Sequence, residues 1–363
     1  MDLGFLRPLY EDRLDPGYVS VYLDTTPSTE SAATELELRW RAARERLAAD
    51  GTDHATLDAV EAAFGRRDHE GRGQAVFAAD GRVLMSVHMP EPPRREIARY
   101  APLPHVMPLL AQLPPRAPHI RVAATREGAE ILAVPAEGAA DRQTAGDQAW
   151  PVHKVSAGGW SEKRLQRSAE EAWAVNAKEA AAAAALAADH VGAEFAVVGG
   201  DIRQRVTLLG LLPARLRENS VIVDREVPAG DAAFADAAAA EAARRAETAS
   251  RALLDEFRVR MDTRDLAARR AAEGLPGTLA ALRDGLAQDV LLDPDAGDGD
   301  GLPAATTEEL DDGEPGTPVR DRADAILSRA AARTGAGLFF VPPGAAPLAD
   351  GVAALLRAPM AAV

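Results

Sequence analysis

The chain predicts an α/β fold in three parts, mixed sheets with flanking helices. Three observations carry that expectation. Short runs of alternating apolar residues are interleaved with longer runs at helical spacing, the pattern of mixed α/β domains. Two proline-rich exits, Pro114-Pro115 and Pro228-Ala229-Gly230, divide the 363 residues into parts of ordinary domain size. Hydrophobic residues make up 47% but aromatics only 4%, so the cores must rely on close-packed, alanine-rich helices. The expected parts are 1–115, 116–228 and 229–363.

In the first part, Tyr18-Val-Ser-Val-Tyr-Leu-Asp24 alternates as a strand does. Glu30–Ala48 places Leu36, Trp40, Ala43 and Leu47 at helical spacing, and Thr56–Phe64 reads as a second helix. Gln74–Ala79 and Arg82–His88 flank Asp80-Gly81, the signature of a hairpin. The proline-rich stretch Pro90–Pro118 combines extended chain with a short helix near Val106–Gln112.

The middle part opens with strands at His119–Thr125 and Ala129–Val134, joined by a turn at Glu127-Gly128. A polar loop runs to Ser156 and a glycine motif, then a helix from Ser161 to about Val191. Its alanine content favours helix by propensity alone. Glu194–Val198 reads as a buried strand, Gly199-Gly200 as a turn, Ile202–Leu212 as a helix and Ser220–Asp224 as a strand.

The last part begins with a helix from Asp231 to about Glu273, bent or broken near Asp262. A helix at Leu275–Gly285, a strand at Asp289–Leu292, a helix at Arg320–Thr334 and a strand at Gly337–Val341 follow, with a short closing element at Val352–Leu356. These make a small α/β sandwich with an acidic insertion at 293–318. Asp293–Glu314 holds nine acidic residues and no basic one, so a solvated or disordered loop is expected there. No internal repeat is evident.

The absence of cysteine excludes disulfides, thiolate metal sites and cysteine nucleophiles, and fits a cytoplasmic protein. The start lacks a basic region followed by an apolar core, so no secretory signal is expected. Ala177–His190 contains Lys178, Glu179 and Asp189 and is too short and too charged to span a bilayer. A net charge of −15 opposes indiscriminate nucleic-acid binding. The distribution is uneven, however: Pro151–Lys178 carries five Lys/Arg against three Glu, with His153 besides. One cationic surface on an acidic protein suits a single element placed on RNA.

That surface centres on His153-Lys154-Val-Ser-Ala-Gly158-Gly159-Trp160-Ser161-Glu-Lys163-Arg164-Leu-Gln-Arg167. The two glycines free the backbone for close approach to a partner. Ser161 is a good N-cap, so the helix is expected to begin there, with Arg164 and Arg167 on one face. Exposed N–H groups at a helix start and two guanidinium groups suit phosphate. The plainer alternative is a surface loop capped by Ser161, with its arginines in water.

The order Gly-Gly-x-Ser-x-x-Arg-apolar-x-Arg, followed by Glu170-Glu171, resembles the middle domain of archaeal and eukaryotic release factors, the superfamily that includes Pelota. Lys154, Gly158, Gly159, Ser161, Arg164, Leu165 and Arg167 fall on its motif positions. More closely, the chain resembles a bacterial branch, the Balon-type proteins and their mycobacterial relatives. Val-Ser-Val-Tyr near the start, Pro-Val-His-Lys before the loop, Ala281–Gly285 and Gly351–Arg357 carry this resemblance across all three parts. It implies a release-factor-like architecture whose C-terminal sandwich is ribosomal-protein-like. It also implies a ribosome-binding hibernation or stress factor that occupies the A site, with elongation factor Tu as a possible partner.

Trp160 stands where the release-factor pattern has the Gln that helps place the attacking water. Tryptophan has one N–H donor and no acceptor, so it cannot orient water in that way. It could stack on an RNA base, an interaction of roughly 1–3 kcal/mol, or pack back on its own domain. The expected RNA contacts are Lys154, Gly158, Gly159, Trp160, Lys163, Arg164 and Arg167, with no catalytic residue. Peptidyl-tRNA hydrolysis in release or rescue is the alternative, and an adaptor acting off the ribosome through the acidic insertion is a third. The stop-codon-reading motif Asn-Ile-Lys-Ser has no match in the first part.

Other motifs read as structural. Gly71-Arg72-Gly73-Gln74 ends in Gly-Gln but lacks the following Ser and arginines, so a turn into a strand is expected. Gly199-Gly200-Asp201 lacks the spacing of a nucleotide-binding loop, although Arg203 and Arg205 could add basic surface. Asp293, Asp295, Asp298 and Asp300 fail the calcium-loop order because Gly297 and Asp298 take positions 5 and 6. The seven histidines show no metal-ligand spacing. No metal, cofactor, DNA or membrane is expected.

Overall fold

The computed structural model describes residues 3–10, 17–26, 32–64, 72–113, 117–125, 128–135, 141–145, 160–265, 268–293, 304–306, 320–342, 345 and 347–360, with only the backbone course at 32, 142–145, 160–173, 304 and 306. It groups the chain into two compact units. One joins Met1–Leu113 to Glu247–Val363, and the other is Pro114–Ala246.

The first segment runs β1 (Tyr18–Asp24), α1 (Ala32–Ala49), α2 (His54–Phe64), β2 (Gly73–Ala79), β3 (Arg82–Met89), β4 (Ile97–Ala101) and α3 (Met107–Gln112). The order β3-β2-β1-β4 is antiparallel throughout. Because side chains alternate across a strand, the sheet has two separate apolar faces. Val19, Val21, Leu23, Val76 and Ala78 pack with Trp40, Leu47 and Leu57 of α1 and α2. Tyr22, Ala75 and Phe77 point the other way, into a second core.

The middle unit contains β5 (His119–Ala124), β6 (Ala129–Val134), β7 (Asp141–Ala145), α4 (Trp160–Val191), β8 (Phe195–Gly200), α5 (Ile202–Leu211), α6 (Ala214–Glu218) and β9 (Ser220–Ile222). Its order is β7-β6-β5-β8-β9. The β5, β8 and β9 strands are parallel, while β6 and β7 extend the sheet antiparallel. On one face Ile120, Val122, Ile131 and Val198 meet the alanine stripe of α4 and Leu208 of α5. Ala123, Phe195 and Val197 occupy the other face with Phe234, Ala238 and Ala242. Those three belong to α7 (Ala232–Met261), so the core of this unit extends beyond Pro228.

The remaining elements are β10 (Ala271–Glu273), α8 (Gly274–Arg283), β11 (Ala287–Leu292), β12 (Ala304–Thr306), β13 (Arg320–Arg322), α9 (Ala323–Thr334), β14 (Gly337–Phe340) and β15 (Val352–Leu356). The sheet order is β10-β15-β11-β14, with β11 and β14 parallel. Leu291, Ala353 and Leu355 face Leu254 and Phe257 in the second half of α7. Val290, Leu292, Val352 and Ala354 face α8 and α9 and share one core with Tyr22, Phe77 and α3 of the first segment. Nine of the twelve α9 residues are buried, the polar Asp324 and Ser328 among them.

The structure corrects several sequence expectations. The helix expected from Asp231 to about Glu273 with a bend or break near Asp262 ends at Met261, beside the expected break, and Ala271–Glu273 pairs with β15 as a strand instead of continuing it. Tertiary pairing overrides the helical propensity of that alanine-rich segment. Asp141–Ala145, read as loop, adds to the sheet edge through β6. Its polar composition hid it, since an edge strand need not bury either face fully. Inside the acidic insertion, Ala304–Thr306 pairs with Arg320–Arg322, and Arg320–Arg322 was expected to open the following helix. The rest of that insertion lies outside the described residues.

Candidate nucleic-acid interface

The candidate site stands at the start of α4, whose second half anchors it. Ala180, Ala181, Ala184, Ala187 and Ala188 lie buried at helical spacing against the middle sheet, and Ala177 one turn earlier is buried too. Small side chains let the helix axis approach the strands closely. Asn176 is buried with them and its Oδ1 has no hydrogen-bond partner among the described residues.

The helix begins at Trp160, one residue earlier than expected, so Ser161 lies in its first turn and is not the N-cap. Lys163, Arg164 and Arg167 occupy the next two turns. At roughly 100° per residue, positions 160, 163, 164 and 167 fall within an arc of about 100°. The same periodicity, followed along a straight helix, sets the middle of that arc about 110° from the middle of the buried alanine stripe. Lys154, Gly158 and Gly159 lie outside the described residues.

The other motifs resolve as structural devices. Gly200 has φ +97°, and a Cβ there would run into the Ala124 backbone. Asp201 caps α5 by accepting from the backbone N–H groups of Arg203 and Gln204, at 2.9 and 3.2 Å. A carboxylate already occupies the place a phosphate would need. Arg205, expected as basic surface, donates instead to Val223 O and the Asp224 carboxylate at 3.0 and 3.1 Å, tying α5 to the end of β9. Arg203 remains exposed.

In the first segment, Gly73 and Gln74 open β2 as expected of a turn into a strand. Gln74 is 2% exposed, and its Nε2 donates to Ala63 O and Ser86 Oγ at 3.3 and 2.9 Å. It fixes α2 on the sheet and cannot serve as a catalytic tip. Among the described residues no cluster of histidine and carboxylate could hold a metal ion. None of their helices is long and apolar enough to cross a membrane.

Two features were not anticipated from sequence. His119 stacks on Phe195 with ring centroids 5.0 Å apart, and the Arg245 guanidinium lies 5.0 Å from the same ring. Burial lowers the His119 pKa despite a hydrogen bond to Ala117 O, which makes it a neutral packing residue. On α5, Ile202 and Val206 stand 61% and 63% exposed. Amphipathic spacing suggests where a helix buries its apolar face, and here two large apolar residues lie on the opposite one.

Residues 118–262 match the model of bacterial archaeo-eukaryotic release factor family 2. The Mycobacterium tuberculosis protein Rv2629, itself uncharacterized, is 31% identical over 356 residues, covering 94% of this chain and 93% of the relative. Among solved structures, Archaeoglobus fulgidus Pelota aligns over 98% of this chain and 91% of its own, at 12% identity and a TM-score of 0.36. The archaeal translation termination factor aRF1 aligns over 97% and 96%, at 17% identity and a TM-score of 0.23.

Proposed function

Since this chain belongs to the bacterial archaeo-eukaryotic release factor-like family, we propose that it binds ribosomes and occupies the A site. On this reading it is a non-catalytic hibernation or stress factor. The segment 158–160 enters the peptidyl-transferase centre, and Lys154, Lys163, Arg164 and Arg167 contact rRNA phosphate. Elongation factor Tu is its associated partner, and it acts in the cytoplasm. The three parts 1–115, 116–228 and 229–363 are proposed as the inherited domains, with the first half of α7 from the third part completing the core of the second.

The observation that carries this reading is Trp160 at the water-positioning place, directly at the head of a helix bearing Lys163, Arg164 and Arg167. The flanking basic and glycine positions of the motif are kept while the Gln is lost. Such a loop can stack or occlude but has no acceptor with which to orient water.

Two assays on the purified protein test the reading together. Co-sedimentation with ribosomes from starved cells at near-physiological salt should be positive, and hydrolysis of peptidyl-tRNA on those ribosomes should be absent. Loss of binding overturns the ribosomal reading. Hydrolysis that disappears on changing Gly158 and Gly159 establishes the peptidyl-tRNA hydrolase reading in its place.

A further inference from the structure

The solvent face of α5 carries an apolar stripe that nothing in its own unit explains. Ile202, Val206 and Gly210 follow one another at four-residue intervals, which puts them on one side of the helix. Ile202 and Val206 are more than half exposed. Ile222 on β9, 46% exposed, pairs in register with Val198, whose side chain packs in the core beneath α4 and α5. Ile222 therefore lies on the α5 side of the sheet. Arg205 joins these elements by bonding from α5 to Val223 O and Asp224.

Gly210 gives an independent indication. Glycine is among the least favourable residues in a helix. Here it is not the left-handed stop that would justify it, because the C-cap is Leu212 in an extended conformation. Apart from its own helix backbone and chain neighbours, a Cβ at Gly210 would meet no described atom within 4 Å, so packing against other elements does not require glycine either. A glycine beside exposed branched residues lets a second backbone come close.

Charge narrows the occupant. Ile202–Arg225 contains five arginines and two acidic residues in a chain of net charge −15. Arg205 and Arg215 are paired with Asp224 and Asp189. Arg203, Arg217 and Arg225 are exposed and make no ion pair among the described residues. An apolar stripe bordered by cations complements an apolar stripe bordered by anions.

We propose that α5 and β9 form a docking surface for an amphipathic helix of another protein, its apolar residues flanked by Asp or Glu. The helix lies along Ile202, Val206 and Gly210, with Ile222 at the edge and Arg203 and Arg225 meeting the acidic flanks.

The test uses the full chain and three labelled probes in fluorescence anisotropy. These are a Leu-stripe helical peptide with Glu flanks, the same peptide with Lys flanks, and a single-stranded RNA oligonucleotide. The Glu-flanked peptide should bind, and Val206→Glu and Gly210→Leu should each weaken it at least about tenfold, or roughly 1.4 kcal/mol. Arg203→Glu should invert the preference between the two peptides. Thermal midpoints of Val206→Glu and Arg203→Glu should match the parent, since these positions are exposed, and that of Gly210→Leu should be no lower, because leucine favours helix over glycine. Absent or equal binding of the two peptides overturns the proposal. So does RNA binding that Val206→Glu abolishes, which would make this a nucleic-acid face. Self-association in sedimentation velocity that the same substitutions abolish would make the occupant a second copy and also overturns it. Ribosome co-sedimentation of Val206→Glu should be unchanged, so failure here is distinct from failure of the ribosomal reading.

Discussion

His105 Nε2 lies 3.2 Å from the carboxylate of Asp324, joining residues 219 positions apart inside one core. Both side chains are almost fully enclosed, at 5% and 0% exposure. Arg322 donates to the same carboxylate at 3.0 Å, and Arg99 pairs with buried Asp321, which also accepts from Leu103 N–H at 2.9 Å. The Tyr22 hydroxyl donates to His105 O at 2.6 Å. The first and last segments are thus held together by a buried ionic cluster as well as by apolar packing.

Removing one member of such a cluster strands its partners. Asp324→Ala should destabilise the protein by about 3–5 kcal/mol, because buried His105 and half-buried Arg322 lose the carboxylate that both of them bond. Urea unfolding followed by circular dichroism measures this, and an unchanged midpoint would contradict the assigned role.

The same carboxylate gives stability a pH dependence of defined sign. Burial pushes the Asp324 pKa up, but hydrogen bonds from His105 and Arg322 outweigh it and hold the pKa below the usual carboxylate value. A depressed folded-state pKa means the contribution is present above the unfolded value near 4 and is lost as pH falls through the folded one. Stability should therefore decline below about pH 4. Asp324→Asn should flatten that part of the curve, measured as urea midpoints across the acid range.

Gly200 is tied to its conformation by geometry rather than chemistry. Its φ of +97° and the closeness of Ala124 leave no space for a side chain. Gly200→Ala should cost about 1–3 kcal/mol from backbone strain alone, with more from displacement of β5. A thermal midpoint equal to the parent's would count against this account.

The two Gly-containing motifs should separate cleanly by assay. Gln74→Ala leaves Ala63 O and Ser86 without their donor and should reduce stability by about 1–3 kcal/mol while the folded protein still sediments with ribosomes. The double change Arg164→Glu and Arg167→Glu should do the reverse. Sedimentation with ribosomes should fall and the thermal midpoint stay near the parent's. Ribosome binding that follows Gln74 instead would reassign the functional loop.

Elements with strong local periodicity were legible in the sequence. The β1 strand, the β2–β3 hairpin, α2 and the β5–β6 pair agree with it to within two residues, because pattern, turn residues and propensity all act in the same direction. The β10 strand was not legible: Ala271–Glu273 has helical composition and becomes a strand only because β15 is available to pair with it. The polar β7 edge was missed for a related reason, as its partner β6 rather than its own side chains defines it. The shared core between the first and last segments was invisible too. Nothing local in Tyr22 or Phe77 says that Ile326, far along the chain, lies in the same cluster. At the site, the place of Trp160 at the head of a helix could be read to within one residue. The exposed stripe on α5 could not, since Ile202 and Val206 look like core residues until burial is known.

A cryo-EM map of the protein bound to ribosomes from stationary-phase cells tests the central claim most directly. The account predicts density in the A site, with residues 158–160 at the peptidyl-transferase centre and Arg164 and Arg167 against rRNA phosphate. Ribosomes whose A site holds no such density, at protein concentrations that saturate co-sedimentation, would contradict it.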